Sequence, residues 1–131
     1  MKKGYCENIE KLTRENTDFR RVLYTAMHSQ LVAMSLVAGE DIGVEIHDTD
    51  QFFRIEEGTG TFVIDGVEYA VEDGSAMVVP AGAEHNVINT GSIPMKLYTI
   101  YSPSHHQDGT VHKTKLDALA ADEHFDGTTT E

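Results

Sequence analysis

Five residues at fixed spacing constrain this chain more than anything else in it. Gly74, Pro80, Gly82, His85 and Asn89 fall in the order Gly-x5-Pro-x-Gly-x2-His-x3-Asn. Pro80 fixes φ at the end of the apolar run Met77-Val78-Val79, and Gly82 admits the bend that reverses it. The strand that leaves this turn begins at His85, whose imidazole is thereby aimed inward. A second polar cluster, Glu45-x-His47-x3-Gln51, lies upstream on what reads as a facing strand. Alternate residues of a strand share a face, so all three project to one side if Asp48-Thr49-Asp50 keeps the register. Phe53 and Ile55 fall on the same face and give the polar groups an apolar surround. Two imidazoles, a carboxylate and an amide oxygen form a reasonable ligand set for a divalent ion. The competing arrangement is metal-free, with the same groups hydrogen-bonding one another around water.

The rest of the chain has the texture of an all-β domain. Short runs broken by Gly, Asp and Pro predict strands over Arg21–Ala26, Ser29–Ala38, Val44–His47, Gln51–Glu57, Gly60–Ile64, Val67–Val71, Ala76–Val79, His85–Asn89 and Met95–Tyr101. Asp65-Gly66, between Phe62-Val63-Ile64 and Val67-Glu68-Tyr69, predicts a tight hairpin. Residues 1–19 are polar, with a weak helical signal over Glu10–Asn16. They read as an arm that packs on the domain or reaches a partner subunit. Strands are expected to stop after Ser102-Pro103. Beyond them, Asp117–Phe125 predicts a short Asp-capped helix and residues 127–131 a frayed end. The domain proper is thus expected over 20–103, with a tail over 104–131.

Composition narrows the function. The chain has 131 residues, enough for one core and too few for two. Ten Lys and Arg against 22 Asp and Glu give a net charge of −12, which repels phosphate backbones and anionic lipid. Nucleic acid and membrane are therefore not expected partners. The single cysteine, Cys6, cannot make an internal disulfide and reads as incidental rather than nucleophilic. Met1-Lys2-Lys3 is not followed by an apolar run, and no stretch has the length of a membrane span, so a cytoplasmic protein is expected.

From about Arg21 to Tyr101 the chain resembles the cupin superfamily. The second cupin motif, G-x5-P-x-G-x2-H-x3-N, is matched in full by Gly74, Pro80, Gly82, His85 and Asn89. The first, G-x5-HxH-x3/4-E-x6-G, is matched by Gly39, His47 and Gly58, with Glu45 at the first His position and Gln51 at the Glu position. The resemblance implies a jelly-roll barrel, the double-stranded β-helix of the family. It carries the family's metal ligands over to His47 and His85, with Glu45 and Gln51 in ligand positions of altered chemistry. It also implies a homodimer paired through a sheet, for which the run Gln51–Glu57, apolar on both faces, is suited.

The implied function is a small metalloenzyme acting on a polar metabolite such as a sugar or organic acid. The ion, Fe, Mn, Ni or Zn, would act as a Lewis acid in isomerase or tautomerase chemistry. Such chemistry needs a general base, for which Glu45, His28 and Tyr98 are the candidates. Two His with one carboxylate is also the composition of non-haem iron sites, so a dioxygenase is the alternative. A non-catalytic small-molecule binder is the third reading, because the fold hosts all three. His105, His106, His112 and His124 fall beyond the last expected strand and carry no functional expectation.

Overall fold

The computed structural model describes residues 1–131. A helix α1 (Ile9–Glu15) precedes the strands, its first turn capped by the Asn8 side chain, which accepts from the Lys11 N–H at 3.0 Å. Eight strands follow: β1 (Arg20–Thr25), β2 (Gln30–Leu36), β3 (Asp50–Glu57), β4 (Gly60–Ile64), β5 (Val67–Val71), β6 (Ala76–Val79), β7 (His85–Asn89) and β8 (Met95–Ser102). The tail adds a two-residue strand β9 (Val111–His112) and a helix α2 (Lys115–Ala120). The strands form two antiparallel sheets, six-stranded in the order β6-β3-β8-β2-β1-β9 and three-stranded in the order β5-β4-β7. This is the expected jelly-roll, all-β with two short helices.

The alternation read from the sequence is what fills the core. Along β3, Gln51, Phe53 and Ile55 are buried while Phe52 and Arg54 are half-exposed. Phe53 meets Phe62 of the small sheet with ring centroids 6.2 Å apart. Leu36, Val87 and Leu97 are fully buried between the sheets, each worth roughly 1.5–3 kcal/mol of apolar burial. At the β4–β5 hairpin, Asp65 and Gly66 have φ of 43° and 80°, the pair of positive values that a two-residue turn demands. Gly82 has φ of 88°, and its N–H donates to the His47 carbonyl at 2.8 Å. The Pro80–Gly82 turn thus grips the segment that carries the upstream polar cluster.

Three expectations need correction, and for the N-terminal arm one of the two alternatives is observed. Val44–His47 is not a regular strand. Residues 39–45 run beside β7 through Gly39 N–H to Asn89 O, Ile42 N–H to Val87 O, and a mutual pair between Glu45 and His85. Their register drifts because Gly39 and Gly43 take φ of 82° and 105°. The N-terminal arm packs on its own barrel. Lys96 donates to the Asn16 carbonyl at 2.6 Å and the Ser35 hydroxyl at 2.9 Å, and Arg14 donates to the Glu56 carbonyl at 2.8 Å. The C-terminal helix starts two residues early, because Thr114 and Asp117 form a capping box, and stops at Ala120. Beyond it Glu123 and Phe125 are drawn back to the barrel by hydrogen bonds to His106, Gln107 and His105. The last residues do not fray: Glu131 accepts from the Lys3 and Gly4 N–H groups and the Tyr24 hydroxyl.

Candidate metal centre

His85 opens β7 and is 3% exposed. Its Nδ1 lies 3.1 Å from the Ala83 carbonyl, which can only accept, so the ring proton sits on Nδ1. That leaves a lone pair on Nε2, buried and without a partner. Across the mutual backbone pair stands Glu45, and two residues on, His47. Val44 and Ile46 face solvent while Glu45 and His47 turn in, the two-residue period the sequence suggested. His47 Nε2 and Glu45 Oε2 are 2.7 Å apart, and ligand atoms of Glu45, His47 and His85 all lie within 4.8 Å of one another.

Gln51, 2% exposed, sits on the inward face of β3. Its Nε2 donates to the Thr99 hydroxyl at 2.9 Å, and its Oε1 is buried without a partner. Two orphaned acceptors, His85 Nε2 and Gln51 Oε1, each cost free energy as they stand. A cation is the kind of group that would satisfy them. Burial alone would raise the Glu45 carboxyl, yet the hydrogen bond with His47 and the positive charge of Arg20 help hold it below its ordinary value. An ionised carboxylate and a deprotonated imidazole nitrogen are what metal ligation requires. The residues present fit a divalent ion, with His85, His47 and Glu45 able to hold it.

The two other expected catalytic groups are placed elsewhere. His28 is exposed in the turn between β1 and β2. Tyr98 lies on the outer face of the large sheet, its ring 6.3 Å from that of Phe52. It falls between the inward Leu97 and Thr99, so the strand period itself turns it away. Neither is brought to the cluster.

His105, which carried no functional expectation, stands beside it, as does Tyr101 on the opposite face of β8 from Tyr98, and Arg20 acts on it through its charge. The His105 ring lies 4.2 Å, centroid to centroid, from that of His47 and stacks on Tyr101 at 5.1 Å. Burial drives its pKa down to about 4, with His47 and His106 adding to the effect, so it is neutral at pH 7. Tyr101 is fully buried, 5.8 Å from the His47 ring, and burial raises its hydroxyl well above the ordinary value. Arg20, 6% exposed on β1, contacts His112 Nδ1 at 3.3 Å and lends positive charge to Glu45. The one sequence signal for any of these was the doublet His105-His106 directly after the last barrel strand.

A family model described as "Cupin domain" matches residues 32–101. The chain belongs to the cupin family. Its relatives include the uncharacterised protein YrkC of Bacillus subtilis (strain 168), 51% identical over 128 residues, covering 92% of this chain and 69% of that protein. The uncharacterised protein L612 of Acanthamoeba polyphaga mimivirus is 42% identical over 112 residues, covering 82% of this chain and 70% of its own length. Among solved structures, BH2720 from Bacillus halodurans superposes with a TM-score of 0.89 at 47% identity, over 91% of this chain and 96% of that one. The cupin barrel therefore accounts for the two sheets, and the Glu45–His47–His85 cluster occupies its interior end.

Proposed function

We propose that this cupin is a metal-dependent enzyme acting on a small polar metabolite, a sugar or organic acid, at Glu45, His47 and His85. The observation that carries the reading is the His85 imidazole, locked by Ala83 so that a buried, unpartnered Nε2 faces two further ligand atoms. A bound divalent ion would supply Lewis-acid polarisation of a substrate carbonyl or hydroxyl, the requirement of isomerase and tautomerase chemistry. Glu45 is better suited to ligation than to proton abstraction. Its depressed pKa makes it a weak base, and its Oε2 is already engaged with His47. Phe53 and Tyr101 wall the site and limit water around it. The mouth opens into a shallow cavity of about 640 Å³ beside His47, enough for a compact ligand.

An iron-dependent dioxygenase is the second reading, favoured by the two-His, one-carboxylate composition of the cluster. Elemental analysis of protein purified without added metal, followed by O₂ uptake on a panel of sugars, keto acids and thiols, separates them. Iron with O₂ consumption selects the dioxygenase; zinc, nickel or manganese with O₂-independent turnover selects the isomerase. No bound metal, with a ligand that stabilises the fold, defeats both and leaves a binding protein.

We extend the proposal to a homodimer in the cytoplasm. Val78, Phe52, Ile100, Leu31 and Tyr24 are cross-strand neighbours running along the outer face of the large sheet, and Val78 is 67% exposed. This uncharged row is where two copies of a chain bearing −12 could meet without repulsion. No helix is long and apolar enough to cross a membrane, and with a single cysteine the fold uses no internal disulfide, as suits a chain of the cytoplasm.

A further inference from the structure

The tail is built to hold one imidazole in place beside the metal cluster. Gln30, 1% exposed, accepts with its Oε1 from the N–H groups of His105 at 3.2 Å and His106 at 2.8 Å. Its Nε2 donates to the His106 carbonyl and the Thr25 hydroxyl. The Phe125 N–H donates to the His105 carbonyl at 2.8 Å. His106 is clamped between the Glu123 carboxylate, 2.6 Å from its Nδ1, and the Tyr101 hydroxyl, 3.2 Å from its Nε2. Its ring then stands edge-on to that of His105 at 4.8 Å. With Tyr101 stacked beneath it, His105 is fixed at backbone and ring alike. Yet the ring nitrogens of His105 make no hydrogen bond within the chain, although those of His47, His85, His106 and His112 do. His105 borders the cavity it shares with His47, Asp48, Ala81 and Gly82.

We propose that His105 is a ligand-contacting residue, its imidazole hydrogen-bonding an anionic oxygen of a small carboxylate seated beside His47 at the barrel mouth. This rests on the metal reading above. An imidazole ring always carries at least one N–H donor, which a carboxylate oxygen can accept while its other oxygen reaches the cation. The chain as a whole is acidic, and Glu45 and Asp48 stand at this point, so the two charges of a bound divalent ion are what would draw an anion here. Ile46, Ala81 and Gly82 give the rim small or apolar groups, which favours a ligand of few carbons, and the exposed Asp48 carboxylate stands at its edge. The position emptied by Tyr98 and His28 is thereby taken by a residue from outside the barrel.

The test uses the full-length protein loaded with Co²⁺, with azide as the anionic probe, read by the visible absorption of the cobalt. His105→Phe keeps the stacking on Tyr101 and removes the nitrogens; His105→Gln keeps a donor and an acceptor. The expected result is cobalt affinity within about 2-fold of wild type for both variants. Azide affinity falls by about 5-fold or more in His105→Phe and stays within about 2-fold in His105→Gln. Unchanged azide affinity in His105→Phe overturns the inference while leaving the metal centre standing. Loss of cobalt from His105→Phe also overturns it, by making His105 a metal ligand. Failure of wild-type protein to take up cobalt defeats the metal reading itself, and this inference with it.

Discussion

At the scale of single residues, His85 and Gln51 solve the same problem in the same way. One polar atom of each is committed to a protein partner, Ala83 O or Thr99 Oγ1, and that commitment orients the other. His85→Ala removes the best-oriented donor, so metal content measured by elemental analysis should fall from near one ion per chain to roughly a tenth of that or less. Gln51 is the more instructive position, because its amide oxygen is a weak donor where the family motif has a carboxylate. Gln51→Glu should tighten binding of a divalent ion by about 10-fold in a calorimetric titration. Gln51→Ala should weaken it by only a few-fold, because three ligands remain. Equal affinity in wild type and Gln51→Glu would mean that this side chain does not face the ion. The motif spacing made Glu45, His47 and His85 legible because strand alternation is local physics. It could not exclude His28, whose distance from the cluster depends on how the β1–β2 turn sits in the sheet, nor say which face of β8 turns inward and so whether Tyr98 or Tyr101 stands beside the cluster.

Elements show where local signals compete with tertiary ones. Asp117–Phe125 has helical composition, yet the helix ends at Ala120 because Glu123 gains more from His106 and the Gln107 N–H than from another turn. Burial works against the charge of Glu123, but those two hydrogen bonds hold its pKa down to about 2, from an ordinary 4.5. A depressed carboxylate stabilises the fold fully above about pH 4.5, and the contribution fades as pH falls toward 2. Glu123→Gln should therefore lower Tm at pH 7 by roughly 3–10 °C, from the loss of a charge-assisted bond worth about 1.5–3 kcal/mol. The gap between variant and wild type should close as pH is lowered through that window in a thermal-melt series; a constant gap would argue that the carboxylate is not the stabilising form. The Pro80–Gly82 turn behaves oppositely, since local chemistry and tertiary need agree there. Gly82→Ala meets no steric neighbour but must hold φ of 88°, a strain of about 1 kcal/mol. Tm should drop by about 3–6 °C, with metal affinity reduced as the grip on His47 loosens.

For the whole molecule, the large sheet carries the consequences. Its inner face holds Gln51, Phe53, Thr99 and Tyr101, and its outer face holds α1 at one end and the apolar row around Phe52 at the other. If that row joins two copies, Val78→Arg should convert the protein from dimer to monomer in sedimentation velocity, weakening association by at least about 10-fold. A wild-type monomer at micromolar concentration would dismiss the interface. The sequence alone determined the barrel, its two sharp turns and the three side chains of the candidate cluster, because period-two alternation and positive-φ turns are written into neighbouring residues. Only the tertiary structure could decide that residues 104–131 are part of the site rather than an appendage. His105 meets His47, and Glu123 meets His106, across 58 and 17 positions of chain. Such contacts leave no periodic trace in sequence, since they are selected by the free energy of burying polar groups with partners once the barrel has closed.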